Sequence, residues 1–475
     1  MTSSAQMRRG VVAMVAAAAV AGAQLLVRAQ PATAPITAIT GGTLIDVRSG
    51  ERVPQAVVLI DGDRIKSVGR AGSLPVPAGA QIVDARGKWL IPGLFDMHCH
   101  VGGTLDLPLE LFLANGVTTI RDTGGSVTNQ RLMRDAIASG KRIGPRLYFA
   151  GAVLDSYPPV FPSNWIVDTP QRATSAVNFL LDQGVDLIKV YNNISEEVLK
   201  TILSTAQARK TVVVGHVPRT MTMTHAVELG LTHLEHIRIT GREVMSKADA
   251  DEIDFLPLSR RETLLWGRYD LASPKLKALI ALLAQKKVFL DPTFTVDEAF
   301  FVESVYQAQR SHPNNRYLPA AMLEQWSKPE PDLYRVPPEL RTMAAEGFSK
   351  RLQFIGLAYR GGVSIIAGTD GAGLGTMMPG FGLHHELALL TRAGLPPIDV
   401  LRAATLTAAR ALGHEHELGS IEAGKLADLV VLTGDPLADI TNAQKIDSVV
   451  KGGQIYSPRK LLDGAAGGKP GGLDH

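Results

Sequence analysis

The chain has 475 residues, 45% of them hydrophobic and 20% charged, an ordinary globular composition with room for two domains or one large barrel. Its 49 basic and 46 acidic residues, net +3 with His neutral, leave no basic tract of the kind that binds nucleic acid. One cysteine excludes an intrachain disulfide framework and a cysteine-built zinc site, so a metal would have to be held by histidine, carboxylate or a less usual group.

The first 29 residues read as a signal peptide. Arg8-Arg9 precede a run of Val, Ala and Met from Val11 to Val20, and small residues follow at Ala21-Gly22-Ala23, with a second candidate cleavage site at Val27-Arg28-Ala29. The run is short for a membrane span, and no later stretch has 18 consecutive apolar residues. The expectation is an exported protein, periplasmic or secreted, with no stable membrane span after processing. A Pro/Ala/Thr-rich linker covers 30–38.

From residue 39 to 91, short apolar runs alternate with Gly/Asp turns, as in Ala56-Val57-Val58-Leu59-Ile60 before Asp61-Gly62-Asp63. This is the expected N-terminal part of a small β-sandwich. From 92 to 413 apolar strand-like runs alternate with helical segments. Eight strands are predicted, at 93–100, 116–123, 145–153, 186–192, 211–217, 232–237, 288–294 and 363–370, with helices such as 171–183, 195–209 and 221–229 between them. Eight such units favour a (β/α)8 TIM-type barrel over an open doubly wound sheet. The fold class is therefore α/β. Residues 414–458 return to β texture and are expected to complete the β-sandwich, while 459–475, with five glycines from Gly464 to Gly472, read as a flexible tail. Three segments are long for barrel connections: 155–170, 238–272 and 299–350. They carry Tyr157, Phe161, Trp165, Trp266, Tyr269, Tyr306, Tyr317, Trp326 and Tyr334. They follow strands, so they are either a lid over a partly aromatic pocket or surface packing.

The chemistry sits at strand ends. In Gly93-Leu94-Phe95-Asp96-Met97-His98-Cys99-His100 the two histidines are two residues apart, so a strand aims both at one point and turns Cys99 away. Lys189 closes an apolar strand, His216 and His236 follow the next two, and Asp370 ends the eighth. Singly, each has a structural explanation: a hydrogen-bonded core histidine, a snorkelling lysine, a helix cap. Together six candidate ligands fall on the rim where such barrels keep their active sites, which points to a metal centre.

From about residue 39 to 455 the sequence resembles the amidohydrolase superfamily. The match includes the His98/His100 strand, Lys189, His216, His236, Asp370 and the tail signature Gly419-Ser420-Ile421-Glu422-Ala423-Gly424-Lys425-Leu426-Ala427-Asp428-Leu429-Val430. Ile188-Lys189-Val190-Tyr191 and Gly215-His216-Val217-Pro218 resemble its imidazolonepropionase-like and prolidase-like branch. The resemblance implies two divalent ions, zinc first among them. His98, His100 and Asp370 would hold one ion and His216 and His236 the other. Lys189, carboxylated by CO2 to a carbamate, would bridge them. It further implies hydrolysis of an amide-type bond, in a dipeptide, N-acyl amino acid or cyclic amide, by metal-activated hydroxide with Asp370 as proton shuttle. Tyr191 could polarise the carbonyl or simply pack in the barrel. His384, near the start of the last barrel helix, and Arg219, after Val217-Pro218, are substrate-contact candidates. Competing readings are a lactone or phosphotriester hydrolase using the same site, and a catalytically silent scaffold or binding protein. The expected partner is a small-molecule substrate, with a homo-oligomer left open.

Overall fold

The computed structural model describes residues 36–253, 256–328, 336–372 and 378–466. The expected signal peptide and most of the linker lie outside the described residues, as do Tyr334 and the glycine-rich end of the tail. Within them, no helix is long and apolar enough to cross a membrane.

The chain begins with five strands: β1 (Thr37–Ile45), β2 (Arg52–Asp61), β3 (Arg64–Arg70), β4 (Gln81–Asp84) and β5 (Trp89–Pro92). Thirteen more follow: β6 (Leu94–Cys99), β7 (Val117–Asp122), β8 (Arg146–Phe149), β9 (Leu154–Asp155), β10 (Trp165–Ile166), β11 (Leu187–Val190), β12 (Val212–Gly215), β13 (His233–Glu235), β14 (Phe289–Asp291), β15 (Ser364–Ile365), β16 (Leu429–Leu432), β17 (Ile446–Lys451) and β18 (Gln454–Tyr456).

Strands from both ends of the chain form one sheet, ordered β18-β17-β16-β5-β1-β2-β3 with β4 paired to β1. A sandwich of two sheets was expected; the strands instead make a single eight-stranded sheet. The reason lies in β1, whose first half pairs in parallel with β4 and whose second half pairs in parallel with β5. Register shifts between Thr40 and Leu44 mark the change of partner and bend the sheet around a core that includes Ile39, Leu44, Val58, Ile60, Leu90, Leu429 and Val431.

All eight predicted barrel strands are present, shorter than predicted. They are near-continuous apolar runs such as Leu187-Ile188-Lys189-Val190, every residue buried, as parallel strands covered on both faces must be. They form two arcs, β6-β7-β8 and β10-β9-β11-β12-β13-β14-β15, and no continuous ladder closes them. At one seam the Met97 N–H donates to the Ala367 carbonyl (2.9 Å) and an isolated parallel bridge joins Cys99 to Gly371. At the other the Asp186 N–H donates to the Phe149 carbonyl (2.9 Å). The connecting helices start where side chains can cap them. Thr169 accepts from the Arg172 N–H with Pro170 at the first position, and Ser195 accepts from Val198.

The long connections fold rather than hang over the barrel. Residues 258–268 and 341–360 are helices packed on each other, and Trp266, Tyr269 and Trp326 are buried in the main core. The lid reading fails for those aromatics: an apolar ring set among Leu265, Phe348 and Phe354 gains more from a helical core than from a solvent-facing wall. Phe161, in the 155–170 segment, does face the cavity described next. The tail also departs from expectation, since residues 458–466 form a helix with Leu461 buried against Leu113 and Ala114.

Candidate metal centre

Six side chains from five strand ends meet at the carboxyl-terminal mouth of the barrel. His98, His100, Lys189, His216, His236 and Asp370 all line one cavity of about 330 Å³, together with Tyr191 and Phe161. The sequence places each by a different device. His98 and His100 share a face of β6 and its end. His236, just past β13, and Asp370, five residues past the end of β15, have φ of 60° and 59°, a left-handed backbone that non-glycine residues seldom adopt. Gly368 is required here, because a Cβ on it would strike the Asp291 carboxylate and His98.

The imidazoles are aimed from behind. His100 Nδ1 lies 2.9 Å from the Gly124 carbonyl oxygen, His216 Nδ1 2.8 Å from Asn192 Oδ1, His236 Nδ1 2.5 Å from Thr293 Oγ1, and His98 Nδ1 2.7 Å from Glu235 Oε2. With three Nδ1 atoms hydrogen-bonded and that of His98 set beside the Glu235 carboxylate, the four Nε2 atoms are the ones left for the cavity, the arrangement of metal-ligating histidines. Asp370 Oδ1 is 3.0 Å from His100 Nε2 and 3.6 Å from His98 Nε2, and Asp370 Oδ2 is 3.9 Å from His236 Nε2. Ligand atoms of His98, His100 and Asp370 lie within 4.8 Å of one another, close enough to share an ion. The His98 and His236 rings are 4.8 Å apart, and those of His216 and His236 4.7 Å.

The protonation states suit the same use. Burial, with the Lys189 charge behind it, lowers His98 to about 4. Burial holds His216 and His236 well below the usual imidazole range, aided by Lys189 at the first and Arg238 at both. These three are neutral at pH 7, the form that donates a lone pair to a metal. Burial would lower His100 too, but its hydrogen bond to Asp370 wins and raises it. For Asp370 burial pushes upward, and the charges of His98 and His100 with the His100 hydrogen bond prevail and hold it below its ordinary value. Burial lowers Lys189 to about 8, so about a tenth of its amine is neutral at pH 7, far more than for an exposed lysine. Its Nζ has no hydrogen-bond partner among the described residues although the side chain is 1% exposed. A buried amine left bare is costly, and a bound group that engages it removes the cost. The donor set thus fits divalent cations held by imidazole and oxygen ligands.

Beneath this layer lies a set of charges absent from the sequence reading. Arg121 Nη2 is 2.7 Å from Glu235 Oε1 and 3.6 Å from Asp291 Oδ2, and Arg121 Nε donates to the Met97 carbonyl (2.5 Å). Asp96 accepts from the Thr369 N–H (3.0 Å) and hydroxyl (2.8 Å), locking the first strand to the eighth. The signal was available: Asp96, Arg121, Glu235 and Asp291 are charges inside otherwise apolar strands, and such charges must find one another.

Of the predicted substrate contacts, Tyr191 is in the cavity wall, its ring 4.1 Å from that of His216 and 6.1 Å from Phe161. His384 is not. It is buried on the helix Phe381–Arg392, outside the cavity lining, with Nε2 3.0 Å from the Asn115 carbonyl oxygen. Arg219 is exposed and outside the cavity lining; its backbone N–H donates to Asn192 (2.8 Å) and its charge faces Arg261, Asp155, Tyr191 and Arg238. Arg238, unremarked in the sequence, follows His236 by two residues, is half-buried, and shares its field with Glu262, Asp297, Tyr191 and Asp370. Cys99 is buried with its thiol 3.5 Å from the Arg121 carbonyl, away from the metal ligands.

Comparison with known proteins bears on the family and the fold. The model of the Amidohydrolase family matches residues 335–456. The 5-methylthioadenosine/S-adenosylhomocysteine deaminase of Moorella thermoacetica is 25% identical over 460 residues, spanning 87% of this chain and 93% of the relative. Among solved structures, a Xaa-Pro dipeptidase with bound methionine in the active site superposes with a TM-score of 0.65 at 24% identity, covering 89% of this chain and all of that one. Bottromycin amidohydrolase superposes at 0.70 with 22% identity, over 92% and 93% of the two chains. These likenesses extend the TIM-type barrel to the whole central region.

Proposed function

We propose that the chain, whose residues 335–456 match the Amidohydrolase family model, is an amidohydrolase-superfamily enzyme, a metal-dependent hydrolase of an amide-type carbon–nitrogen bond in a small substrate with a free carboxylate, such as a dipeptide or N-acyl amino acid. The observation that carries this reading is the convergence of four imidazole Nε2 atoms, a bare buried lysine amine and a carboxylate on one cavity. His98, His100 and Asp370 would hold one divalent ion, and His216 and His236 a second. Lys189 as its carbamate would bridge them, with zinc the first metal to test. Bound there, such ions polarise a carbonyl and bring the pKa of water toward about 7.

The protein's own groups do the rest. Asp370, within 3.0–3.9 Å of three imidazoles, accepts the proton of the attacking water and returns it to the leaving nitrogen. Tyr191, packed on the His216 ring at the cavity wall, lies where a phenol can donate to the carbonyl oxygen as charge develops on it. Arg238 and Arg219, which follow β13 and β12 outside the cavity lining, are the basic groups offered to the carboxylate of the amine half, Arg238 sharing its field with Glu262, Asp297 and Asp370. The signal-like residues 1–29 make export part of this reading.

One screen tests it. Dipeptides, N-acyl amino acids, lactones, phosphotriesters and 5-methylthioadenosine are offered to protein produced with added Zn²⁺ and bicarbonate. Amide cleavage with about two metals per chain is expected. Activity on lactones, phosphotriesters or the nucleoside with none on amides would replace it.

A further inference from the structure

A second groove opens from the metal cavity. It has a volume of about 630 Å³ and shares His100, Gly124, Gly125, Ala152 and Ser163 with the first. It runs between the loops after β6, β7 and β8 and ends at Trp165 and Phe179. Those rings lie 5.6 Å apart at 48° and remain 37% and 50% exposed. Two large aromatics left in water beside an enzyme cavity need a reason, since each forgoes the burial that rings of this size usually find. Apart from the metal-site His100, the lining contains no ionisable residue: it is glycine, alanine, valine, Ser126, Thr128, Asn129, Ser163, Gln183 and the two aromatics.

The groove is built rather than incidental. Asp122, fully buried, accepts from the Gly102 N–H (2.8 Å) and the Gly124 N–H (3.0 Å), stitching two of the loops together. The Gly125 N–H donates to the Gly151 carbonyl (2.9 Å), tying in the third. Trp165 is held by strand pairing, β10 against β9, with its N–H on the Val153 carbonyl (2.9 Å). The floor is bare of side chains at Gly102, Gly103, Gly124 and Gly125, so the width of the groove is that of an unsubstituted backbone. A rigid, uncharged slot with an aromatic wall fits a flat apolar group that stacks. The groove lies on the side of β6 to β8, whereas Arg238 and Arg219 follow β13 and β12 across the mouth. A substrate spanning the metals with its carboxylate at the arginines sends its acyl half into the groove.

We propose that this groove is the acyl-group subsite and that it selects an uncharged aromatic acyl group, stacked on Trp165 and Phe179; the acyl assignment rests on the amide-hydrolase reading above, the aromatic-binding one on the groove alone. Gly103 supplies the test. It is exposed on the groove floor, its φ lies outside the left-handed region, and a Cβ added there meets nothing within 4 Å. Gly103→Leu therefore plugs the groove without disturbing the packing. Trp165→Ala and Phe179→Ser remove the wall.

Two measurements go together on the full-length protein: kcat/KM for N-(2-naphthoyl)-leucine against N-acetyl-leucine, and calorimetric binding of 2-acetylnaphthalene, which has no bond to hydrolyse. Expected are a preference for naphthoyl of about tenfold or more, its loss in Gly103→Leu and in the wall variants with the acetyl rate unchanged, and weakened ketone binding in all three. A preference that survives all three variants, or naphthoyl and acetyl rates that fall together, overturns the subsite. If neither amide is cleaved yet ketone binding still weakens in the variants, the aromatic site stands and the amide reading falls. If the amides are cleaved and neither preference nor binding responds, the groove assignment falls and the amide reading stands.

Discussion

Asp370 and the atoms behind the histidines show how this site is made residue by residue. Asp370 contacts the imidazoles of two strands and has a left-handed backbone, a placement that suits the proton shuttle proposed for it. Asp370→Asn is expected to lower kcat by about 10²–10⁴-fold while the circular dichroism spectrum is kept; turnover near the parent rate would remove the proton-shuttle role. Asn192 acts one step further out, through His216. Asn192→Leu is expected to weaken metal affinity by about 10–100-fold, read by competition with a chromogenic chelator, and an unchanged affinity would make Asn192 a bystander. His98, His100, Lys189, His216, His236 and Asp370 were all legible in the sequence, because strand period and strand ends are properties of a single segment. Asn192, Thr293, Glu235 and Arg238 were not. Whether a side chain stands behind an imidazole depends on how two strands pack, and no periodicity within one strand records it. His384 lies outside the cavity lining, and the converse reason applies: its position near a barrel helix start says nothing of which way that helix is turned.

Among the elements, the helices Phe294–Phe301 and Phe381–Arg392 carry a buried linkage that couples the fold to pH. Glu386, on the second, accepts the Phe294 N–H (3.0 Å), the Thr295 N–H (2.7 Å) and the Thr295 hydroxyl (2.7 Å) at the start of the first. That start follows Thr293, the residue that aims His236. Burial outweighs these donors and raises Glu386 to about 8 from 4.5. The folded protein therefore holds a proton between those values that the unfolded chain has released. The stabilisation it brings is complete below about 4.5 and is lost as pH rises through about 8. Urea midpoints should fall across that window, and Glu386→Gln should flatten this part of the profile; equal slopes in parent and variant would count against it. Elements were otherwise well predicted where their signal is local, as in the capped helices after Thr169 and Ser195. The segments read as lids were misjudged because aromatic content alone does not tell a pocket wall from a core. Trp266 lies between Tyr269 and Phe354 with its ring buried, and only the packing of two helices reveals that.

At the scale of the molecule, the barrel stands on a sheet whose strands come from opposite ends of the chain. β16 pairs with β5, and Arg146 of β8 grips Asp428 just before β16 through two hydrogen bonds of 2.8 and 3.0 Å. Ending the chain after residue 413 would strip β5 of one of its two partners and uncover Leu90 and Ile91, which are fully buried. Such a truncation is expected in the insoluble fraction; a soluble, folded product would show that the sheet's first half is self-sufficient. Eight barrel strands could be counted in the sequence because each is a separate apolar run, whereas the single bent sheet could not, since pairing between distant runs leaves no local mark. That pairing also sets a timetable. A ribosome releases β5, ending at Pro92, on the order of tens of seconds before β16, beginning at Leu429. Throughout that interval one edge of β5 waits unpaired, an open template for a neighbouring nascent chain. Slowing initiation so that fewer chains are in this state together should therefore raise the soluble yield, and the last strands synthesised decide the fate of the first.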